Sequence, residues 1–155
     1  MDPPRVAEYL NEPSEALYRL ISFTARDLRR AISGEMREWG ITGQQFGVLL
    51  GAAEDSNIAA IAEQLLTDPT SAGRIVERME AAGLVERYQQ PPDRRVVWVR
   101  LRPAGRELLA RCLPLHVQRT ETLLGVLDES ERTLLEGLLG KVRDYLATGV
   151  SATGE

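Results

Sequence analysis

The segment between residues 56 and 103 constrains the fold more strongly than any other part of this chain. Ser56 and Asn57 can cap a helix whose apolar residues recur at three- and four-residue spacing. Asp68 and Pro69 can begin a second helix, because the Asp68 carboxylate accepts unpaired backbone N–H groups and Pro69 suits the first helical position, where no N–H is needed. The segment therefore predicts two short helices joined by a tight turn.

Two β-prone runs, at residues 85–89 and 96–101, follow Gly83, a residue that suits the position just after a helix. The two prolines of the loop between these runs oppose helix formation, and the loop carries Arg94 and Arg95. A helix that can enter a DNA major groove, followed by an arginine-tipped hairpin, is typical of a winged helix-turn-helix. We therefore predict a mainly α fold with a small β-hairpin (α+β), and DNA recognition is the leading functional hypothesis.

On these residues the chain resembles the MarR family of bacterial transcription regulators, over roughly residues 14–147. The resemblance rests on the runs Ile61-Ala62, Arg74-Ile75-Val76-Glu77-Arg78-Met79-Glu80, Gly83-Leu84-Val85, Asp93-Arg94-Arg95 and Leu127-Asp128-Glu129-Ser130-Glu131, and on the L-x-x-x-G spacing that follows the wing. The chain departs from the family at Gly73 and Arg102, where the family often or usually has threonine. The resemblance implies a homodimer that binds double-stranded DNA through the second helix and the hairpin, or wing.

Thr70, Ser71 and Arg74 fall on the opening turns of the second helix, and Arg78 follows one turn later. Arginine can pair with the O6 and N7 atoms of guanine, and serine or threonine can contact bases or phosphates. We predict that these residues are the DNA contacts of the recognition helix. The alternative is a solvated helix face on which Arg74 and Arg78 pair with Glu77.

Arg94 and Arg95 are the predicted DNA contacts of the wing, because a guanidinium inserted into the minor groove senses its width and potential. Ordinary exposed charge at a hairpin tip is the alternative. Asp93 is expected to stabilise the wing by capping the turn or holding an arginine, since phosphates would repel its carboxylate.

The overall net charge of −4 is the main objection to DNA binding, since DNA-binding domains often carry a basic surface. Within residues 67–103, however, seven arginines outnumber five acidic residues and give a net charge of +2, so the rest of the chain carries −6. Screening acts over about 8 Å at physiological salt, so acidic groups away from the groove-facing surface do not prevent phosphate contacts.

The 155 residues, 43% of them hydrophobic, can bury one sizeable core, so we expect a single domain over residues 1–155. Residues 40–103 would form the DNA-binding region, opened by a capping box at Thr42 and Gln45. Apolar helical stripes at 14–39 and 104–147 predict dimerisation helices, the second of them interrupted or bent at Pro114. A helical bundle within a monomer is the alternative, and residues 148–155 are expected to be a disordered tail.

The sequence predicts no catalytic site, metal or other cofactor. Cys112 and His116 lie four residues apart on one helix face, but further metal ligands and the surroundings of a catalytic thiolate are missing. We therefore expect a non-enzyme in which Cys112 is a structural thiol rather than a redox sensor. The apolar stretches are too short for a bilayer, residues 1–13 lack a signal-peptide pattern, and a single cysteine suits a reducing compartment, so a cytoplasmic protein without a membrane partner is expected.

Regulators of the MarR family often bind small aromatic or phenolic ligands between the dimer helices and the winged domain. The residues that this resemblance suggests for such a pocket are Phe23, Arg26, Arg30, Trp39, Phe46 and His116, with an ordinary core and surface arginines as the alternative. The resulting prediction is a homodimeric repressor of a pseudo-palindromic operator, released by a small aromatic effector. The competing hypothesis is a winged-helix adaptor that binds protein through the same helix and wing.

Overall fold

A computed structural model describes residue 10 and residues 12–148, apart from the side chain of residue 35. Its elements are α1 (Pro13–Met36), α2 (Gly43–Ala53), α3 (Ile58–Leu65), α4 (Pro69–Ala81), β1 (Val85–Tyr88), β2 (Trp98–Leu101), α5 (Pro103–Leu124) and α6 (Glu129–Ala147). This is the mainly α fold with one small hairpin that the sequence predicts. The described residues form two compact units, which divide after Val117. Residues 149–155, where we expect a disordered tail, lie outside the described residues.

Side-chain caps begin three helices of the first unit at the predicted positions. Thr42 and Gln45 form a capping box before α2, in which each side chain accepts a hydrogen bond from the other residue's backbone N–H. Asn57 caps α3 by accepting from the N–H of Ala60, and Asp68 caps α4. These caps satisfy N–H groups that have no partner inside the helix, and they fix where each helix begins.

The first four helices end in one shared hydrogen-bond pattern, the Schellman motif. In each, the residue after the last turn adopts a left-handed conformation, with φ of 75° at Gly40, 51° at Asp55, 53° at Leu66 and 76° at Gly83. The N–H of the next residue then donates to the carbonyl five residues earlier, at N···O distances of 3.1, 3.1, 3.0 and 2.9 Å. Glycine adopts this conformation without steric cost, so Gly83 fits its predicted position after α4.

The core of the first unit requires α2 and α3 to approach each other closely. A Cβ on Gly47 would lie 2.4 Å from the Leu65 side chain, and one on Gly51 would lie 2.8 Å from Ile61, so a side chain at either position would displace a side chain of α3. The predicted apolar faces of α3 and α4 are buried in this core. Its members are Met36, Ile41, Phe46, Val48, Leu49, Ala52, Ile61, Ala62, Ala72, Val76, Met79, Val85, Val99, Leu101, Leu109 and Cys112.

The hairpin strands are shorter than the predicted runs at 85–89 and 96–101. β1 and β2 pair antiparallel, from Val85 opposite Leu101 to Tyr88 opposite Trp98. The chain before α3 bonds to the second strand from its other side: Ile58 N–H donates to the Val97 carbonyl at 3.0 Å, and Val99 N–H donates to the Ser56 carbonyl at 2.9 Å. This third segment, which was not predicted from the sequence, ties the hairpin to the start of the helix-turn-helix.

Gly105 allows α5 to begin close to the end of the recognition segment. A Cβ on Gly105 would lie 2.0 Å from the carbonyl oxygen of Leu84. The same oxygen accepts a hydrogen bond from Arg102 N–H at 3.0 Å. The L-x-x-x-G spacing of Leu101 and Gly105 therefore has a steric cause, because any side chain at 105 would displace the helix from this carbonyl.

Pro114 lies in the middle of α5 without ending it. A proline lacks the backbone N–H and removes one helical hydrogen bond, which is why the sequence predicts an interruption or a bend here. The helix instead runs from Pro103 to Leu124 without interruption, and the alternative of a bend at Pro114 stays a prediction. Across the part of the chain that the structure describes, no helix is both long enough and apolar enough to cross a membrane.

The second unit contains the end of α5 and all of α6, which begins with a capping box at Asp128 and Glu131. Arg132 closes the connecting turn by donating to the Glu121 carboxylate at 2.6 Å and to the Leu127 carbonyl at 3.1 Å. No residue of α6 is buried by the described chain. Its exposed apolar side chains are Leu134, Leu135, Leu138, Leu139, Val142, Tyr145 and Leu146. In the first unit, α1 likewise exposes Leu17, Tyr18, Leu20, Ile21 and Phe23.

Candidate nucleic-acid interface

Asp68 fixes the first turn of α4, the predicted recognition helix. One carboxylate oxygen accepts a hydrogen bond from Ser71 N–H at 2.9 Å, and the other accepts from the Ser71 hydroxyl at 2.7 Å. These bonds hold the pKa of the Asp68 carboxyl below its ordinary value, and the bond from the Ser71 hydroxyl has the largest effect. The Ser71 hydroxyl, a predicted DNA contact, is therefore engaged as a donor, and its lone pairs remain for another partner.

The other predicted contacts of α4 lie on its solvent side. Three apolar residues of the helix are buried: Ala72, Val76 and Met79. Thr70, Arg74 and Arg78 are exposed. A Cβ on Gly73 would have no neighbour within 4 Å, so packing does not require glycine there. This helix therefore presents a polar face that is accessible to a groove, as the recognition role requires.

Arg87 of β1 binds the carboxylates of α4. Its backbone N–H and its Nε each donate to Glu80 at 2.8 Å, one to each carboxylate oxygen. The hydrogen bond from the Arg87 backbone N–H is the main cause that lowers the pKa of the Glu80 carboxyl. Glu77 lies 3.8 Å from the same guanidinium. In the structure, Glu77 therefore lies near Arg87 and does not pair with Arg74 or Arg78, as the alternative would require.

Glu86 binds two further arginines at the base of the wing. The Arg100 guanidinium pairs with one Glu86 oxygen, and the Arg102 guanidinium lies 3.8 Å from the other. Arg100 also covers the ring of Tyr88, with 4.9 Å between the guanidinium carbon and the ring centroid. Both guanidiniums are thus held by groups of the hairpin itself.

Asp93 organises the tip of the wing. Its carboxylate accepts a hydrogen bond from Arg95 N–H at 2.9 Å, and its carbonyl accepts from Val96 N–H at 3.3 Å. The side chains of Arg94 and Arg95 are exposed. The aspartate is therefore in contact with the backbone of the turn rather than with either guanidinium.

These contacts divide the seven arginines of residues 67–103 into two groups. Arg87, Arg100 and Arg102 form ion pairs with Glu77, Glu80 and Glu86. The carboxylates of Asp68 and Asp93 cap turns. Four arginines have no ion pair with any residue that the structure describes: Arg74, Arg78, Arg94 and Arg95. These are the four that the sequence predicts as DNA contacts, and their charges are available to an external anion.

A cavity of about 450 Å³ lies in the first unit beside α2. Its walls are formed by Arg29, Ile32, Ser33, Met36, Arg37, Thr42, Gly43, Gln44, Phe46, Gly47, Leu50, Gln64, Leu65 and His116. The rings of Phe46 and His116 are in contact, with centroids 4.8 Å apart. The Nδ1 atom of His116 is buried without a hydrogen-bond partner, and burial lowers the pKa of this imidazole. The site combines an aromatic wall, two guanidiniums and an unused polar nitrogen.

The structure brings only two of the six predicted pocket residues, Phe46 and His116, to this cavity. Trp39 contacts Phe46, with ring centroids 6.5 Å apart, but does not line the cavity. Arg26 lies nearer the start of α1 with its guanidinium over the exposed ring of Phe23, at 4.9 Å.

Arg30 is exposed. Its neighbour Arg29 lines the cavity together with Arg37, two turns later. One residue corresponds to about 100° around a helix, so a correct helix does not by itself identify which arginine faces the pocket.

Cys112 is buried, and burial raises the pKa of its thiol. The thiol therefore stays protonated and packs in the core, as expected for a structural cysteine. Among the side chains that the structure describes, no group of three or more His, Cys, Asp or Glu residues could hold a metal ion.

Comparisons with known proteins agree with this architecture. The MarR family profile matches residues 39–96. The transcriptional repressor NicR of Pseudomonas putida is 36% identical over 107 residues, which cover 67% of this chain and 67% of NicR.

Solved structures extend the similarity to most of the chain. Wild-type MarR from E. coli, in its apo form, is 30% identical with a TM-score of 0.67 and covers 81% of this chain and 96% of MarR. A mutant of MarR complexed with operator DNA is 27% identical with a TM-score of 0.74, over 90% of this chain and 99% of that one. BpsR of Bordetella bronchiseptica, whose DNA binding is regulated by 6-hydroxynicotinic acid, is 25% identical with a TM-score of 0.66, over 81% and 98%.

Proposed function

Because this chain belongs to the MarR family of transcription regulators, we propose that it is a homodimeric repressor that binds a pseudo-palindromic DNA operator. A MarR mutant bound to operator DNA and a relative named as a repressor support this role. The role requires no catalytic residue or cofactor, and a regulator of chromosomal genes works in the cytoplasm. None of the relatives described above supports the adaptor hypothesis.

The observation that carries this proposal is the set of four arginines that form no ion pair with the described residues. Arg74 and Arg78 lie on the exposed face of α4, and Arg94 and Arg95 lie at the tip of the wing. The charge of an arginine that binds a glutamate is already compensated, so it attracts a phosphate less than these four do. The recognition helix and the wing therefore supply the available positive charge, in spite of the acidic chain as a whole.

The homodimer is supported by the apolar side chains that α1 and α6 expose. Leu138 and Leu146 of α6 are 51% and 65% exposed, and Leu17 of α1 is 57% exposed. Rows of such residues at helical spacing are unfavourable in water and are the usual material of a helix-helix interface. A second copy of the chain is the partner we propose, because a two-fold dimer presents two recognition helices to a palindromic site.

The cavity beside α2 is the proposed effector site. Phe46 and His116 offer aromatic contacts, and the guanidiniums of Arg29 and Arg37 suit a carboxylate, so we propose a small aromatic acid as the ligand class. BpsR, with its response to 6-hydroxynicotinic acid, supports this class. Calorimetry with that acid should give saturable heat for the wild type and a weaker affinity for Arg37→Gln. Equal affinities would rule out Arg37 as the carboxylate partner.

DNA binding is tested with a duplex that the wild-type protein enriches from a random-sequence library. Arg74→Ala should weaken binding to this duplex by about 1–3 kcal/mol and binding to a random duplex far less, as expected for a residue that reads a base. Arg95→Ala should flatten the slope of log affinity against log salt by about 1.8, because each of the two wings loses one phosphate contact.

Arg100→Ala is the matched control, because it removes the same charge from an arginine that Glu86 already holds. It should change the salt slope much less than Arg95→Ala. If the three variants behave alike, the free arginines are not the DNA contacts. If the wild-type protein enriches no sequence and binds no duplex, the proposed function itself is wrong.

A further inference from the structure

Leu66 occupies a position in the helix-turn-helix where the backbone favours glycine. The Schellman motif that ends α3 also ends α1 and α4, where the left-handed residues are Gly40 and Gly83. At Leu66 the same conformation, with φ of 53° and ψ of 48°, brings a side-chain Cβ toward the following carbonyl oxygen. Leucine also lacks the short polar side chain that makes this conformation tolerable at Asp55. The turn between α3 and α4 therefore contains a strained residue.

Burial does not compensate for this strain. The side chain of Leu66 is 68% exposed, and it is the only large apolar side chain exposed among the described residues from 40 to 103. A leucine retained for its packing would be covered, as Leu65 beside it partly is. Strained residues persist where they serve a function, so strain combined with exposure points to a contact outside the chain.

The position of Leu66 indicates what that contact is. Asp68, the N-cap of the recognition helix, follows two residues later, and the exposed Thr70 lies on the next turn. Residues at the start of a recognition helix contact base edges, and the thymine methyl is the apolar group that the major groove presents. We propose that Leu66 of each protomer contacts a thymine methyl group in an operator half-site. This contact rests on the proposed DNA binding.

The test compares two variants of the full chain on the enriched duplex. Leu66→Gly removes the side chain and relieves the left-handed strain, whereas Leu66→Met retains an apolar side chain of similar size. We expect Leu66→Gly to bind the duplex about fifteenfold more weakly than wild type, because each of two lost methyl contacts weakens binding about fourfold. The affinity of Leu66→Met should stay within about twofold of wild type. The melting temperature of Leu66→Gly should not fall, because the relieved strain offsets the flexibility that glycine adds to the unfolded chain.

A second arm replaces each thymine of the duplex in turn with deoxyuridine, which lacks the methyl group. At one position in each half-site, this replacement should weaken binding by the wild-type protein about fourfold and leave binding by Leu66→Gly unchanged.

Three results would overturn the contact. Leu66→Gly could bind as tightly as wild type, or deoxyuridine could affect both proteins equally. Weaker binding could instead accompany a lower melting temperature or a smaller mass in light scattering, which would assign Leu66 to folding or to assembly. A wild-type protein that binds no duplex would overturn DNA binding, and this contact with it.

Discussion

Gly73 and Gly105 illustrate how differently two glycines can act in one chain. A Cβ on Gly105 would lie 2.0 Å from the Leu84 carbonyl oxygen, whereas a Cβ on Gly73 would have no neighbour within 4 Å. We expect Gly105→Ala to lower the free energy of unfolding by about 3 kcal/mol, because a backbone carbonyl cannot move aside as a side chain can. Urea unfolding followed by circular dichroism measures this change.

Gly73→Ala is the matched control for this prediction. The added methyl group has open space inside a helix, so the free energy of unfolding should rise by about 1 kcal/mol from helix propensity alone. A loss of stability in both variants, or in neither, would show that the contact at Leu84 is not what requires glycine at 105.

Residues that act on their near neighbours in sequence are the ones that could be predicted. Asp68 and Thr42 cap helices through atoms three residues away, so the pattern of residue types suffices. The partner of Arg87 was not predicted, because Glu80 lies seven residues earlier in a different element. Which arginines are paired with glutamates and which are free could therefore be determined only from the folded chain.

At the scale of elements, Arg87 and Glu80 join the wing to the recognition helix. Two hydrogen bonds of 2.8 Å connect β1 to α4, one of them from the backbone. We expect Glu80→Ala to reduce the free energy of unfolding by about 1–2 kcal/mol at pH 7, since the glutamate is only partly exposed and both bonds are lost. Chemical unfolding at several pH values measures this difference.

The pH dependence of that difference has a definite sign. The pKa of the Glu80 carboxyl is lowered in the folded chain, so its contribution is present above the ordinary value of 4.5 and declines as the pH falls below it. Glu77→Ala is the control, because Glu77 is 3.8 Å from the Arg87 guanidinium and more exposed. It should cost less than about 0.5 kcal/mol. Equal costs for the two variants would contradict the role given to Glu80.

The strands show where prediction from sequence stops at this scale. Alternating apolar residues identified the hairpin, but Val97 and Val99, on either side of Trp98, also bond to the chain at Ile58 and Ser56. Pairing between segments some forty residues apart leaves no local pattern, so neither the strand ends nor the third segment could be predicted. Phe46 and His116 were predicted to line the cavity, but Arg29 and Arg37 were not, since the side chains that face the cavity depend on how α1 and the turn after it pack against α2.

At the scale of the whole molecule, the exposed apolar faces predict the state of assembly. The chain of 17.2 kDa should form a dimer of about 34 kDa, twice that mass, which multi-angle light scattering measures. Leu138→Glu places a charge in the apolar row of α6 and should shift the protein toward the monomer at micromolar concentration. Operator affinity should fall with it, because a monomer presents one recognition helix.

Glu136→Gln tests whether any change on α6 has this effect. The residue is exposed on the same helix, so the variant should remain a dimer. A wild-type protein that is monomeric at micromolar concentration would contradict the assembly, and a Leu138→Glu variant that remains dimeric would move the interface away from α6.

The last turn of α3 has a consequence for the genetics of this regulator. Gln64 and Leu65 line the cavity, and the next two residues form the turn that leads into the recognition helix. If the cavity binds the proposed effector, substitutions at positions 64 and 65 would be pleiotropic, because each would alter both the response to the effector and the occupancy of the operator. A lineage that acquires a new inducer would change Arg29 or Arg37 first, since both residues lie outside the helix-turn-helix. Suppressors of uninducible alleles at position 64 should then map to the recognition helix as readily as to the cavity.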